Sequence, residues 1–167
     1  MTALVNPGPN FRKDLTFMYQ NVRGLVLFSG LGENNMPLDT VKLMEIQSKV
    51  YNDKPDIVIL NETWLSKEHL DQEVFPNETY NVYRLDRSKR THPPDPNNPK
   101  RFRVKGGEVL IAIKAGIDVE HEKININSKA EILSVSFADK NIKYCLTTCY
   151  RVGTLGEGNL NEIDKNL

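Results

Sequence analysis

Asp56-Ile57-Val58-Ile59-Leu60-Asn61-Glu62-Thr63-Trp64 is a β-branched apolar run that stops abruptly at a carboxylate and an indole. Four consecutive apolar residues after the turn pair Lys54-Pro55 predict a strand buried on both faces. Glu62 then falls at that strand's C-terminal end. In open α/β sheets ligands bind in the crevice outside the carboxyl ends of the strands, so a carboxylate delivered there is placed for chemistry. A buried strand end is otherwise a poor position for an unpaired charge. The alternatives are that Glu62 caps the following turn or pairs with a nearby arginine.

Upstream of this run, Leu15 to Gln20 forms a strand candidate that closes on Asn21-Val22-Arg23-Gly24, bringing a second polar group, Asn21, to a strand end. Asn21 also suits a turn before Gly24. Val26 to Leu38, with its glycines, adjacent asparagines and Pro37, reads as a loop. Asp39 can cap a helix running to about Tyr51 with Leu43, Ile46, Gln47 and Val50 on one stripe. Strand, helix and strand within about 50 residues favour a crossover connection between parallel neighbours. Downstream, Tyr80 to Leu85, Glu108 to Lys114, Ala130 to Phe137 and Lys143 to Tyr150 are strand candidates joined by shorter segments, which suggests antiparallel pairing. Residues 1–14 read as a flexible lead-in, and residues 152–167 are Gly-rich and polar.

The 167 residues suffice for one domain with a substantial core, and 39% hydrophobic with 26% charged residues is ordinary for a globular chain. No apolar run approaches the roughly 20 residues of a membrane span. The N-terminus lacks a basic stretch followed by an apolar core, so an intracellular protein with no membrane partner is expected. Asn61-Glu62-Thr63 and Asn77-Glu78-Thr79 match the glycosylation pattern and are taken as chance matches for that reason. Cys145 and Cys149 share one face of a strand about 13 Å apart, too far for a disulfide, and read as small core or half-buried residues.

Acidic and basic residues each number 22, so the net charge is zero. The distribution is uneven: from Arg84 to Lys105 eight basic residues face two acids, around a loop with four prolines between Thr91 and Pro99. Arg87, Lys89, Arg90, Lys100, Arg101 and Arg103 are candidate nucleic-acid contacts, with Arg151 further on. His69, His92 and His121 are expected to face solvent.

Five short motifs follow in order: Gln20-Asn21-Val22-Arg23-Gly24-Leu25, Asp56 through Leu65, Arg84-Leu85-Asp86-Arg87-Ser88, Gly106 through Ala112, and Cys149-Tyr150-Arg151. Together they resemble the first half of the endonuclease domain of non-LTR retrotransposons. That domain belongs to the endonuclease/exonuclease/phosphatase superfamily, with exonuclease III, apurinic/apyrimidinic endonucleases and DNase I as relatives. The resemblance covers residues 15–151 and implies a two-sheet α/β sandwich of the DNase I type, represented by roughly its first half. It implies that Glu62 is a metal ligand, that Asn21 helps to hold the metal and the scissile phosphate, and that Tyr150 touches that phosphate. Gly24, Thr63, Trp64, Gly106 and Gly107 would be structural. The implied cofactor is Mg²⁺, with Mn²⁺ as a substitute, and the implied partners are DNA, the remainder of the endonuclease domain and a reverse transcriptase, in the nucleus.

The residue types suit the chemistry. A hard divalent cation stabilises charge on a pentacoordinate phosphorus without proton transfer. Mg²⁺ typically takes one or two carboxylates and completes its shell with phosphate and water. An amide and a phenol offer neutral hydrogen bonds to phosphate oxygens. Three departures stand out. Glu108 occupies the place of a third glycine, Val152-Gly153 replaces the usual prolines, and the segment from Leu25 to Asp39 is longer than expected. The later motifs that carry an Asp, an Asn and a Ser-Asp-His histidine have no counterpart in the sequence. An inactive fragment of an endonuclease is therefore expected. The alternatives are a non-catalytic nucleic-acid-binding relic and a superfamily phosphatase acting on lipid or inositol phosphates.

Overall fold

The structure, a computed structural model, describes residues 14–27, 37–76, 78–86, 107–125, 130–139 and 142–150. The chain runs β1 (Phe17–Asn21), α1 (Thr40–Asp53), β2 (Ile57–Asn61), α2 (Asp71–Val74), β3 (Tyr80–Leu85), β4 (Val109–Lys114), β5 (Asp118–Asn125), β6 (Glu131–Asp139) and β7 (Ile142–Tyr150). The described strands form one sheet in the order β1-β2-β4-β3 and a second in the order β5-β6-β7. The expected lead-in up to residue 13, the tail from 152 and the basic loop from Arg87 through Lys105 lie outside the described residues.

β2 is buried along its whole length, as a run of apolar residues without alternation requires. β1 lies parallel to it in register Phe17 to Ile57 through Asn21 to Asn61, so the strand-helix-strand unit is a crossover. β4 pairs antiparallel with β2 on its other side and with β3 beyond. Asp56 ties the start of this sheet together: its Oδ2 accepts from the Thr16 amide at 3.1 Å and from Thr16 Oγ1 at 2.9 Å, and its Oδ1 lies 3.4 Å from Lys114 Nζ.

Two apolar layers result. Val58, Leu60, Leu110 and Ala112 pack beneath α1, which presents Leu43, Ile46 and Val50. Asp39 caps α1 through its Oδ1, which accepts from Lys42 N–H at 3.1 Å. Gln47 completes the same stripe as a polar rivet, donating to the carbonyls of Glu73 and Val74. On the opposite face Ile57, Ile59, Ile111 and Ile113 meet Leu133, Val135 and Phe137 of the second sheet. At the edge, Phe17 and Tyr19 belong by register to this second face but remain 45% and 63% exposed, because no described strand of the second sheet lies over β1.

The structure corrects four expectations. β5 and the one-turn α2 are additional elements. β5 carries Glu120, Glu122 and Lys123 within its eight residues, a charged composition that is depleted in strands and hid it in the sequence. His69 is buried rather than solvent-facing, and its Nδ1 accepts from Ser66 N–H at 3.0 Å. Cys145 is exposed rather than buried, while Cys149 is half-buried as expected, since the inward residues of β7 are Tyr144, Leu146, Thr148 and Tyr150; the two form no disulfide. Asn61 is 4% exposed, which excludes it as a glycosylation acceptor in the folded chain.

At the end of β3 the Arg84 guanidinium is almost enclosed. Its Nε lies 3.2 Å from Asp71 Oδ1, its Nη2 lies 3.1 Å from Asp86 Oδ2, and Nη2 also donates to the His69 carbonyl at 2.9 Å. Burial raises the Asp86 carboxyl above its ordinary value despite the opposing pull of Arg84. Removing one partner of a buried pair leaves uncompensated charge. Arg84→Leu is expected to cost roughly 3 kcal/mol at neutral pH by urea unfolding. Without the guanidinium the folded-state value of Asp86 rises further. The deficit is then fully expressed above that value and shrinks as pH falls through it, because the protonated acid is the form the folded state favours. A deficit independent of pH would show that Asp86 is not the group left stranded.

Candidate active site

The C-terminal ends of parallel β1 and β2 do not fray; their backbone pairing continues into the turns. Val22, Gly24 and Leu25 donate to the carbonyls of Asn61, Glu62 and Thr63 at 2.9, 2.6 and 2.8 Å, and Glu62 N–H donates to the Glu108 carbonyl at 2.9 Å. Arg23, Glu62, Trp64 and Glu108 take left-handed φ angles of 49°, 57°, 58° and 49°, beside Gly24 at 87° and Gly107 at 124°. Each non-glycine residue in that region costs on the order of 1–2 kcal/mol. Such residues cluster where a functional arrangement is held by its surroundings.

This backbone decides where Glu62 points. Strict alternation would send its side chain to the face beneath α1, the side of Val58 and Leu60. The left-handed turn breaks the alternation, and the carboxylate meets a residue of the other face: Asn21 Nδ2 donates to Glu62 Oε1 at 2.6 Å. Asn21 Oδ1 accepts from Arg23 N–H at 3.1 Å. The amide orientation follows, since a backbone N–H can only donate and a carboxylate only accept. Asn21 is thus both the turn residue and the partner of Glu62. Lys42, from α1, secures the turn from behind by donating to the carbonyls of Arg23 at 3.3 Å and Gly24 at 2.8 Å.

Tyr150 arrives from the second sheet. It ends β7, opposite Glu131 of β6, and is half-buried against the layer between the sheets. Its neighbours reach the first sheet directly: Thr148 Oγ1 donates to Asn61 Oδ1 at 3.0 Å, and Asn61 Nδ2 donates to the Cys149 carbonyl at 3.4 Å. Asn21, Glu62 and Tyr150 therefore converge on one end of the sandwich. Arg87, Lys89, Arg90, Lys100, Arg101, Arg103 and Arg151 lie outside the described residues.

The sequence reading passed over four contributors. Asn61 and Lys42 fix the strand ends. Glu108 and Glu131, each about 1% exposed, bring two more carboxylates into the interior beside Glu62 and Tyr150. A charged residue directly before an apolar strand is the signal that marks both. Glu108 adopts a left-handed φ of 49°, an angle that glycine favours.

The donor set can be tested against a metal. One Glu62 oxygen is held by Asn21, and Oε2 has no partner among the described residues. Among the described residues no group of three or more His, Cys, Asp and Glu side chains could enclose an ion. A single carboxylate oxygen of this kind suits a hard cation that completes its shell with water and substrate oxygens. A separate apolar cleft of about 560 Å³, lined by Val50, Tyr51, Phe75 and Tyr80, opens at the other end of the sheet and carries none of these groups.

The fold has counterparts among solved structures. Humanized D. rerio TDP2 aligns with a TM-score of 0.57 at 14% identity, covering 91% of this chain and 58% of that one. D. rerio TDP2 complexed with a single-strand DNA product gives 0.56 at 13% identity, covering 91% and 52%. The human Nocturnin catalytic domain with a bound sulfate anion gives 0.58 at 12% identity, covering 91% and 58%. The chain thus has the DNase I-like fold of the endonuclease/exonuclease/phosphatase type and spans a little over half the length of these structures. No protein-family model and no curated protein sequence matches it.

Gly24 is the residue on which this end of the sheet closes. A Cβ there would overlap the six-membered ring of Trp64, and φ of 87° disfavours any L side chain. Gly24→Ala is expected to lose roughly 3 kcal/mol of unfolding free energy, overlap and backbone strain together. Adding Trp64→Leu should return the overlap part alone. If Gly24→Ala is as stable as the parent chain in urea, the ring does not pack on this turn.

Proposed function

We propose that this chain is the N-terminal part of a Mg²⁺-dependent endonuclease of the retrotransposon type, which hydrolyses phosphodiester bonds in DNA. The observation that carries the proposal is the Asn21–Glu62 pair, held by strained backbone at the carboxyl ends of two parallel strands with one carboxylate oxygen uncommitted among the described residues. Mg²⁺, when bound, neutralises charge developing on the phosphoryl oxygens. Glu62 holds it, and Asn21 orients the carboxylate by donating to Oε1 while its Oδ1 keeps a second lone pair for the ion. Tyr150 offers its phenol to a phosphate oxygen.

The water-activating acid and the histidine of the resembled family belong to motifs that this sequence does not contain. In this reading a further segment of the domain supplies them, with a reverse transcriptase beyond. DNA is favoured over small phosphoesters by the basic residues from Arg87 to Lys105, Arg84 itself being committed to Asp71 and Asp86, and by the DNA product held by a protein of the same fold. Phosphate contacts tolerate loose geometry and catalysis does not, so residues 1–167 alone should bind DNA better than they cleave it.

In a protein extended through a complete second half, Glu62→Gln is expected to lower Mg²⁺-dependent plasmid nicking by more than about 100-fold, since residues that merely orient a metal ligand are worth 10- to 100-fold. Unfolding should be unchanged, because the substitution is isosteric. Near-normal nicking at saturating Mg²⁺ would remove Glu62 from the site. Hydrolysis of an inositol phosphate by the parent protein, with no nicking, would move the substrate to the small-phosphoester class.

A further inference from the structure

Asn61 is an odd residue to bury. It ends the apolar run of β2 and is 4% exposed, on the face that meets the second sheet. A carboxamide there is tolerable only if its donors and acceptor are used. Asn61 uses all of them: Oδ1 accepts from Thr148 Oγ1 at 3.0 Å, and Nδ2 donates to Tyr19 Oη at 3.3 Å and to the Cys149 carbonyl at 3.4 Å. The amide cannot be reversed, because the Cys149 carbonyl has no hydrogen to offer Oδ1.

These three bonds join β1, β2 and β7 at one point, and each partner stands beside a candidate site residue. Glu62 follows Asn61, Tyr150 follows Thr148 and Cys149, and Asn21 is the next residue after Tyr19 on the same face of β1. The apolar side chains packed between the sheets attract without direction. A directional contact is what fixes one sheet's register against the other.

We propose that Asn61 is a positioning residue that sets the distance between the Tyr150 phenol and the Glu62 carboxylate by locking β7 onto the end of β2. It touches neither substrate nor metal. The proposal rests on the reading of Glu62 as a metal ligand, and productive geometry at such sites is held to about 0.5 Å.

The test uses the whole chain, isotopically labelled, with Mn²⁺ alone as the probe, comparing Thr148→Val, which keeps the shape but removes the hydroxyl, with Thr148→Ser, which keeps the hydroxyl. In the parent chain bound Mn²⁺ broadens the amide signals of Asn21, Glu62 and Tyr150. In Thr148→Val the broadening at Asn21 and Glu62 persists, while that at Tyr150 changes several-fold, because the effect follows the inverse sixth power of distance. Thr148→Ser restores it. Broadening at Tyr150 that is unchanged in Thr148→Val overturns the proposal. If Mn²⁺ broadens none of the three signals in the parent chain, the metal reading fails and the metal-free spectra decide the lock by themselves. Thr148→Val must then shift the amides of Glu62 and Gly24 across the sheet interface, with Thr148→Ser leaving them in place. Shifts confined to β6 and β7 overturn it.

Discussion

The parallel pairing of β1 with β2 is the constraint on which the rest depends. It aligns Asn21 with Asn61 and continues through the amides of Val22, Gly24 and Leu25, so both chains leave the sheet in fixed directions. A left-handed turn at each exit then redirects Glu62 toward Asn21. Without the ladder beyond the strand ends those angles would relax. The cost is met by packing: Lys42 from α1 secures the Arg23–Gly24 carbonyls, and the Trp64 ring covers Gly24 where a Cβ would not fit.

The second sheet adds what the first lacks. β7 delivers Tyr150 to the same end, and the link is polar: buried Asn61 and Thr148, with the more exposed Tyr19, form a small hydrogen-bonded network beside the apolar layer. Such a network, fully satisfied, specifies one arrangement of two sheets that dispersion alone would hold less selectively. The exposed inner face of β1, with Phe17 and Tyr19, shows that the described second sheet stops short of the first sheet's edge.

Much of this was legible in the sequence because it is periodic or punctuated. The unbroken apolar run of β2, the Asp39 cap, the stripe Leu43-Ile46-Val50 and the strands β3, β4, β6 and β7 follow from burial and turn chemistry acting locally. β5 was missed because Glu120, Glu122 and Lys123 give it a composition depleted in strands. His69 was misjudged because its burial comes from the turn at Ser66 and from Arg84, both supplied by the fold. At the candidate site the residue types were readable but not their geometry. Strict alternation would have sent Glu62 away from Asn21, and nothing in the sequence announces the left-handed φ that brings the two together.

The central claim is that the Glu62 carboxylate is a metal ligand, and anomalous diffraction from crystals of this chain soaked in Mn²⁺ tests it most directly. The account predicts a single strong peak at about 2.2 Å from Glu62 Oε2. Oε1 should remain on Asn21, and Asn21 Oδ1 together with waters should complete the shell. A carboxylate left unchanged, with Mn²⁺ seated instead beside Asp71 and Asp86 or nowhere, would contradict it.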